Sequence, residues 1–148
     1  MIIKLRHTIE DKTILTNYLT EVDSEFGIPL SNKIDFSSFA DKILLNGHVY
    51  LVFKDNIYCA MICFYCNDNI NKKAYLPILS TKASSRGKGY AKELIKTMIE
   101  ICSLHKMKYI LCDSINPIAI SIYKSLGFKT YKEISDMGIK KEFLIKEL

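Results

Sequence analysis

No stretch of this chain is long and apolar enough to span a bilayer. The N-terminus, MIIKLRHTIEDK, reaches its first acids before a signal-peptide core can form. Both absences predict a cytoplasmic protein without a membrane partner. No repeat, low-complexity segment or linker interrupts the 148 residues, so one domain, 1–148, is expected, and it is long enough to bury a real core. Clustered charge is missing too. The formal net charge of +5 comes mostly from lysines scattered along the chain. Scattered lysine makes a solvated surface and argues against nucleic acid, while a mild positive balance suits a polyphosphate-bearing cofactor.

A metal cluster is also lacking where the cysteines first suggest one. Cys59, Cys63 and Cys66 lie in IYCAMICFYC, which reads as a strand. Residues four apart on a strand stand about 13 Å from each other, too far to share a zinc, and Cys66 is expected on the opposite face from the other two. No histidine partner is obvious, no metal is implied, and the cysteines read as small core residues without disulfides.

What is present reads in order as follows. Ile2–Leu5 is a short strand candidate, and Asp11–Phe26 places Ile14, Leu15, Tyr18, Leu19 and Val22 at helical spacing. After the loop FGIPLSNK, a second helix is expected around Phe36–Leu45. HVYLVFK, the turn Asp55-Asn56 and IYCAMICFYC make a hairpin signal, and AYLPILSTK makes a third strand. Pro77 has no N–H for a ladder, so its strand must be at an edge, bulged or splayed there. A long amphipathic helix follows, with Ala91, Leu94, Ile95, Met98, Ile101, Cys102 and His105 on one stripe. KYILCD is a buried strand. Asn116-Pro117 starts a helix that runs past Tyr123 to Leu126 and stops on Gly127. Strand candidates near Phe128–Lys132 and Lys141–Lys146 close a β-α-α-β-β-β-α-β-α-β-β order.

Arg86-Gly87-Lys88-Gly89-Tyr90-Ala91 lies between a strand and the long helix. Glycines let a ligand approach the backbone, and the first N–H groups of a helix have no internal partners, so this is an anion site suited to a pyrophosphate. Arg86 and Lys88 add charge. A Walker loop would end in Gly-Lys-Ser/Thr, which is missing. A Rossmann fingerprint needs a third small residue where Lys92 stands.

The segment resembles the Arg/Gln-x-x-Gly-x-Gly/Ala signature of the GNAT acetyltransferases, through Arg86, Gly89 and Ala91. The resemblance continues in Asn116, Ala119, Tyr123, Gly127 and Phe128, which keep the spacing Asn-x-x-Ala-x-x-x-Tyr-x-x-x-Gly-Phe. It is specific from about Tyr75 to Phe128 and topological elsewhere. It implies an α/β domain whose mixed, mostly antiparallel sheet is flanked by helices and splayed between the fourth and fifth strands. It further implies acetyl-CoA as co-substrate and transfer to an amine. Backbone groups of Leu79, Ser80 and Thr81 would pair with the pantetheine arm, Arg86 through Ala91 would hold the pyrophosphate, and Asn116 would touch the cofactor. Tyr123 would stand near its sulfur.

The residues themselves agree on Tyr123, since a phenol can protonate a strongly basic leaving thiolate; the plain alternative is a half-buried packing aromatic. An alkylammonium acceptor must also lose a proton. AYLPILSTK holds no carboxylate, which leaves Asp113, otherwise a polar strand end, or a water chain. His105 reads as packing plus a helix-end charge, and Cys112 as an inert strand cysteine. Asp23, Glu25 and Asp35 between the first two helices either draw a cationic amine or simply form a solvated acidic loop. The segments FGIPLS, FYCND and AYLPIL resemble those of bacterial small-molecule acetyltransferases, some linked to amino-sugar metabolism. The expected partner is a small-molecule amine, acetylated by a monomer or homodimer. A protein or peptide amine, or a non-catalytic acetyl-CoA-binding module, is the alternative.

Overall fold

The computed structural model describes residues 1–148. Its elements are β1 (Ile2–Lys4), α1 (Ile9–Val22), α2 (Phe36–Asn46), β2 (His48–Lys54), β3 (Ile57–Tyr65), β4 (Lys73–Thr81), α3 (Tyr90–Leu104), β5 (Tyr109–Ser114), α4 (Pro117–Ser125), β6 (Lys129–Asp136) and β7 (Ile139–Glu147). Seven strands form one sheet in the order β1-β2-β3-β4-β5-β7-β6, antiparallel except for the parallel β4–β5 pair.

The sheet has a core on each face. Leu15, Tyr18 and Leu19 of α1 and Ala40, Ile43 and Leu44 of α2 pack on one side with Leu51, Met61, Cys63 and Ile78. On the other, Leu94, Ile95, Met98 and Cys102 of α3 and Ile120 and Tyr123 of α4 cover Ile62, Phe64, Leu76 and Ile110. Four members of the expected α3 stripe are thus buried, while Ala91 and Ile101 are half-buried and His105 is exposed.

Local chemistry sets the boundaries, and some differ from expectation. The first helix begins at Ile9 and not Asp11, because Thr8 Oγ1 accepts from Asp11 N at 3.1 Å. It yields at Val22 to a 3-10 turn, Asp23–Glu25, ahead of Gly27 and Pro29. Asp55 and Asn56 both adopt positive φ, as a two-residue type I′ hairpin requires. β6 runs four residues past Lys132, to Asp136, before the positive-φ pair Met137-Gly138. Nearly all of β6 is exposed, so it carries no alternating apolar signal.

β3 brings a correction, and β4 decides between the alternatives left by Pro77. The expected face of Cys59 is wrong. A register shift opposite Val52/Phe53 turns Cys59 to the α3 side with Cys66, leaving Cys63 alone toward α1 and α2. Pro77 does not mark an edge, since β4 lies between β3 and β5. Instead it marks both a bulge and a splay. Against β3 the register slips between Cys63↔Ile78 and Tyr65↔Tyr75, and pairing with β5 ends at Leu76↔Cys112.

Candidate active site

Beyond Leu76 the two parallel strands separate, and a cleft of about 640 Å³ opens between them. Leu79, Ser80 and Thr81 line it while still pairing with Ile62, Met61 and Ala60 of β3. Their β5-facing side therefore has no strand on it, which is the edge an extended ligand needs for strand-like pairing.

Gly87 and Gly89 have φ of +79° and +81°, conformations that favour glycine, and Gly89 serves as the N-cap of α3. No side chain caps this helix. The cleft is lined at this end by Ser85, Arg86, Gly87, Gly89 and the first turn Tyr90-Ala91-Lys92. Uncapped N–H groups and the positive end of the helix dipole converge there. Lys88 stands in the same exposed loop. The loop is braced by Glu25, a role not legible in the sequence. Its Oε1 accepts from Ala83 N at 2.6 Å and lies 3.7 Å from the Arg86 guanidinium, whose Nε donates to Thr81 O at 3.4 Å.

Across the cleft stand α4 and the end of β5. Asn116 caps α4 through its side chain, accepting from Ile118 N at 2.9 Å. Tyr123 is 2% exposed, yet it belongs to the cleft lining. Burial, then Cys112 and Asp113, push its phenol well above the ordinary value, so it stays protonated at neutral pH. Cys112 is 2% exposed and pushed up to about 12, by burial first and Asp113 second, which makes it inert as a nucleophile.

Asp113 also reaches the cleft. It ion-pairs with Lys141 at 3.4 Å and accepts from the Tyr75 hydroxyl at 3.5 Å. Burial, and then this carboxylate, raise the Tyr75 phenol.

The three acids between α1 and α2 are all engaged. Asp23 accepts from Ser31 N at 2.9 Å and from its hydroxyl, and these bonds hold its carboxyl below the usual range. Asp35 caps α2 through Ser38 N at 2.9 Å and is lowered by that bond. Glu25 braces the loop. Glu25 lines the cleft, and Asp23 and Asp35 stand outside its lining.

Tyr18 and Lys82 are further residues that sequence reasoning missed. The Tyr18 hydroxyl reaches Ser80 Oγ at 3.1 Å from beneath β4. The Lys82 ammonium, 7% exposed, pairs with Glu21 at 2.9 Å and lies 5.2 Å over the Tyr18 ring. Tyr18 reads in sequence only as one apolar stripe position, and Lys82 as one surface lysine among many.

Residues 16–128 match the Acetyltransferase (GNAT) family, and the chain belongs to it. Its fold recurs in solved structures of low sequence identity. A GNAT-family acetyltransferase from Staphylococcus aureus Mu50 is 18% identical, with a TM-score of 0.75, covering 100% of this chain and 99% of that one. One from Elizabethkingia anophelis with acetyl-CoA bound is 16% identical, with a TM-score of 0.69 and coverage of 99% and 98%. A chain of the NatC complex bound to Gag peptide and CoA is 17% identical, with a TM-score of 0.77 and coverage of 99% and 98%. Among curated proteins, none matches the chain in sequence.

Proposed function

We propose that this acetyltransferase moves the acetyl group of acetyl-CoA to the primary amine of a small molecule by direct attack on the thioester. The observation that carries the reading is the β4–β5 splay, which opens one cleft onto both the uncapped start of α3 and the Tyr123 ring. Acetyl-CoA is the co-substrate. Its pyrophosphate fits the Arg86–Ala91 turn, and its pantetheine arm fits along Leu79–Thr81, with Asn116 opposite. A backbone N–H of that strand would stabilise the oxyanion as the amine attacks. Tyr123 then protonates the departing thiolate.

Asp113 is the base in this reading. Glu25 and Asp113 are the two carboxylates of the cleft lining; Glu25 is held tightly by Ala83 N at 2.6 Å, whereas Asp113 has the longer contacts to Lys141 and Tyr75, at 3.4 and 3.5 Å. Asp113→Asn should lower kcat/KM at neutral pH by about 10²–10⁴-fold. The loss should shrink as pH rises and the free amine supplies itself. Parent-like rates across the pH profile would give the proton to water instead.

The acceptor end of the cleft is lined by Phe26, Ile28, Leu30, Lys33, Ile115 and Lys141. Two lysines among apolar side chains offer no acidic groove for a basic peptide. A small amine, such as an amino sugar, suits it better.

Two measurements test the reading. CoA or acetyl-CoA at about 100 times its Kd should add roughly 2.7 kcal/mol, a Tm rise of about 5–10 °C. Thiol release across a panel of small amines and peptide N-termini then identifies the acceptor. The absence of any carboxylate from β4 favours one other reading, a non-catalytic acetyl-CoA-binding module. A protein stabilised by CoA but silent with every amine would establish that reading. No shift with millimolar CoA would sink both.

A further inference from the structure

Away from the cleft, three donors meet beside a fourth, and acetyl transfer uses none of them. His48 opens β2, Cys66 follows β3, Cys102 lies in the last turn of α3, and His105 is its C-cap. One ligating atom each of His48, Cys66 and His105 lies within 4.8 Å of the others. Cys102 adjoins Cys66 in the same buried core. The imidazoles meet edge to face at 5.5 Å between centroids, and His48 stacks on Phe64 at 5.1 Å. Cys66 is 6% exposed and Cys102 fully buried, while His48 is half-buried and His105 exposed, so the sulfurs are walled by protein and the imidazoles face the way in.

We propose that His48, Cys66 and His105 bind a zinc-class divalent cation, with Cys102 drawn in from beside Cys66 as the fourth, tetrahedral ligand, fastening the end of α3 to the start of β2 and the end of β3. Two sulfurs and two imidazole nitrogens are a donor set for zinc, and with no oxygen ligand they exclude calcium and magnesium. At bond lengths of about 2.3 Å for sulfur and 2.0–2.1 Å for nitrogen, tetrahedral donors stand about 3.3–3.8 Å apart. For His48, Cys66 and His105 the 4.8 Å limit is therefore closed by shifts of about an ångström at side-chain ends, and Cys102 completes the set from its place beside Cys66. Nδ1 of His48 is buried without a hydrogen-bond partner, the kind of atom a bound ion satisfies. The site also lies at the negative end of the α3 dipole, which favours a cation. The thiols bind as thiolates and release their protons to solvent. A Cys66–Cys102 disulfide would use only the sulfurs and leave both imidazoles without a role.

The linear spacing of Cys59, Cys63 and Cys66 excludes a cluster made by β3 alone. The partners come from elements distant in sequence, so no spacing announces them. Cys102 lies 13 residues beyond Gly89, or about 20 Å along the helix, so the ion takes no part in acetyl transfer. The inference is independent of the acceptor and of the catalytic roles.

The test uses the full chain, kept reduced, stripped with a chelator and titrated with cobalt(II). The expected result is one ion per chain, with the visible bands of tetrahedral thiolate-bound cobalt. Zinc should displace those bands and raise Tm. His105→Ala, an exposed position, and Cys66→Ser should each weaken cobalt binding by at least about tenfold while acetyl-CoA affinity is unchanged. Reduced protein without thiolate–cobalt bands would overturn the proposal. So would a His105→Ala protein, shown folded by its retained acetyl-CoA binding, that titrates like the parent.

Discussion

Gly89→Glu is expected to lose acetyl-CoA binding while the sheet stays folded. A Cβ at Gly89 would meet nothing within 4 Å, so the free protein has room for a side chain. The φ of +81° adds strain of about 1–2 kcal/mol for any non-glycine residue, modest beside the roughly 5–15 kcal/mol of a typical domain. The damage therefore falls on the ligand. A carboxylate would project at the start of α3, where the uncapped N–H groups and the dipole otherwise favour an anion, and it would repel the pyrophosphate. Gly89→Ala separates the effects, since it carries the same backbone strain without charge or bulk. Titration calorimetry should find alanine weakened and glutamate without measurable binding. Affinity in Gly89→Glu equal to the parent's would place the pyrophosphate elsewhere.

The legibility of this site in sequence follows from how local each part is. The turn proposed for the pyrophosphate is encoded by six consecutive residues whose special backbone needs glycine twice, so it can be read directly. Asn116 and Tyr123 are spaced on one helix, and Pro77 announces the splay because proline cannot donate to a ladder. Glu25 is different. It reaches Ala83 from 58 residues away, and nothing in its own neighbourhood distinguishes an acid that braces a phosphate loop from one that is merely solvated. The same holds for Tyr18 under Ser80, 62 residues distant. Cys59 shows a finer limit, because one bulge reverses the face that strict alternation assigns. The far end of β6 lies against β7 alone and keeps exposed side chains, so no burial pattern marks it.

Tyr123→Phe should lower kcat by about 10²–10⁴-fold and leave acetyl-CoA affinity nearly unchanged. The ring is 2% exposed and packs on Phe128 at 5.2 Å between centroids, contacts that phenylalanine keeps. Only the hydroxyl is removed. In the parent its proton is secure, because burial, Cys112 and Asp113 all raise the phenol above its ordinary value. The acid limb of the parent's pH–rate profile therefore should not contain this group, and loss of activity from its ionisation should lie above pH 10. The phenol holds its proton until negative charge builds on sulfur as the C–S bond breaks, and donates it there through a hydrogen bond. Without the phenol the thiol leaves as its anion, so a residual rate should persist, and solvent must protonate the product. The decisive comparison is kcat against Kd. A fall in kcat with unchanged acetyl-CoA affinity assigns Tyr123 to the breaking bond. Normal turnover with weakened affinity would instead assign the hydroxyl to the bound thioester, and parent-like values for both would make Tyr123 a packing residue that happens to face the cleft.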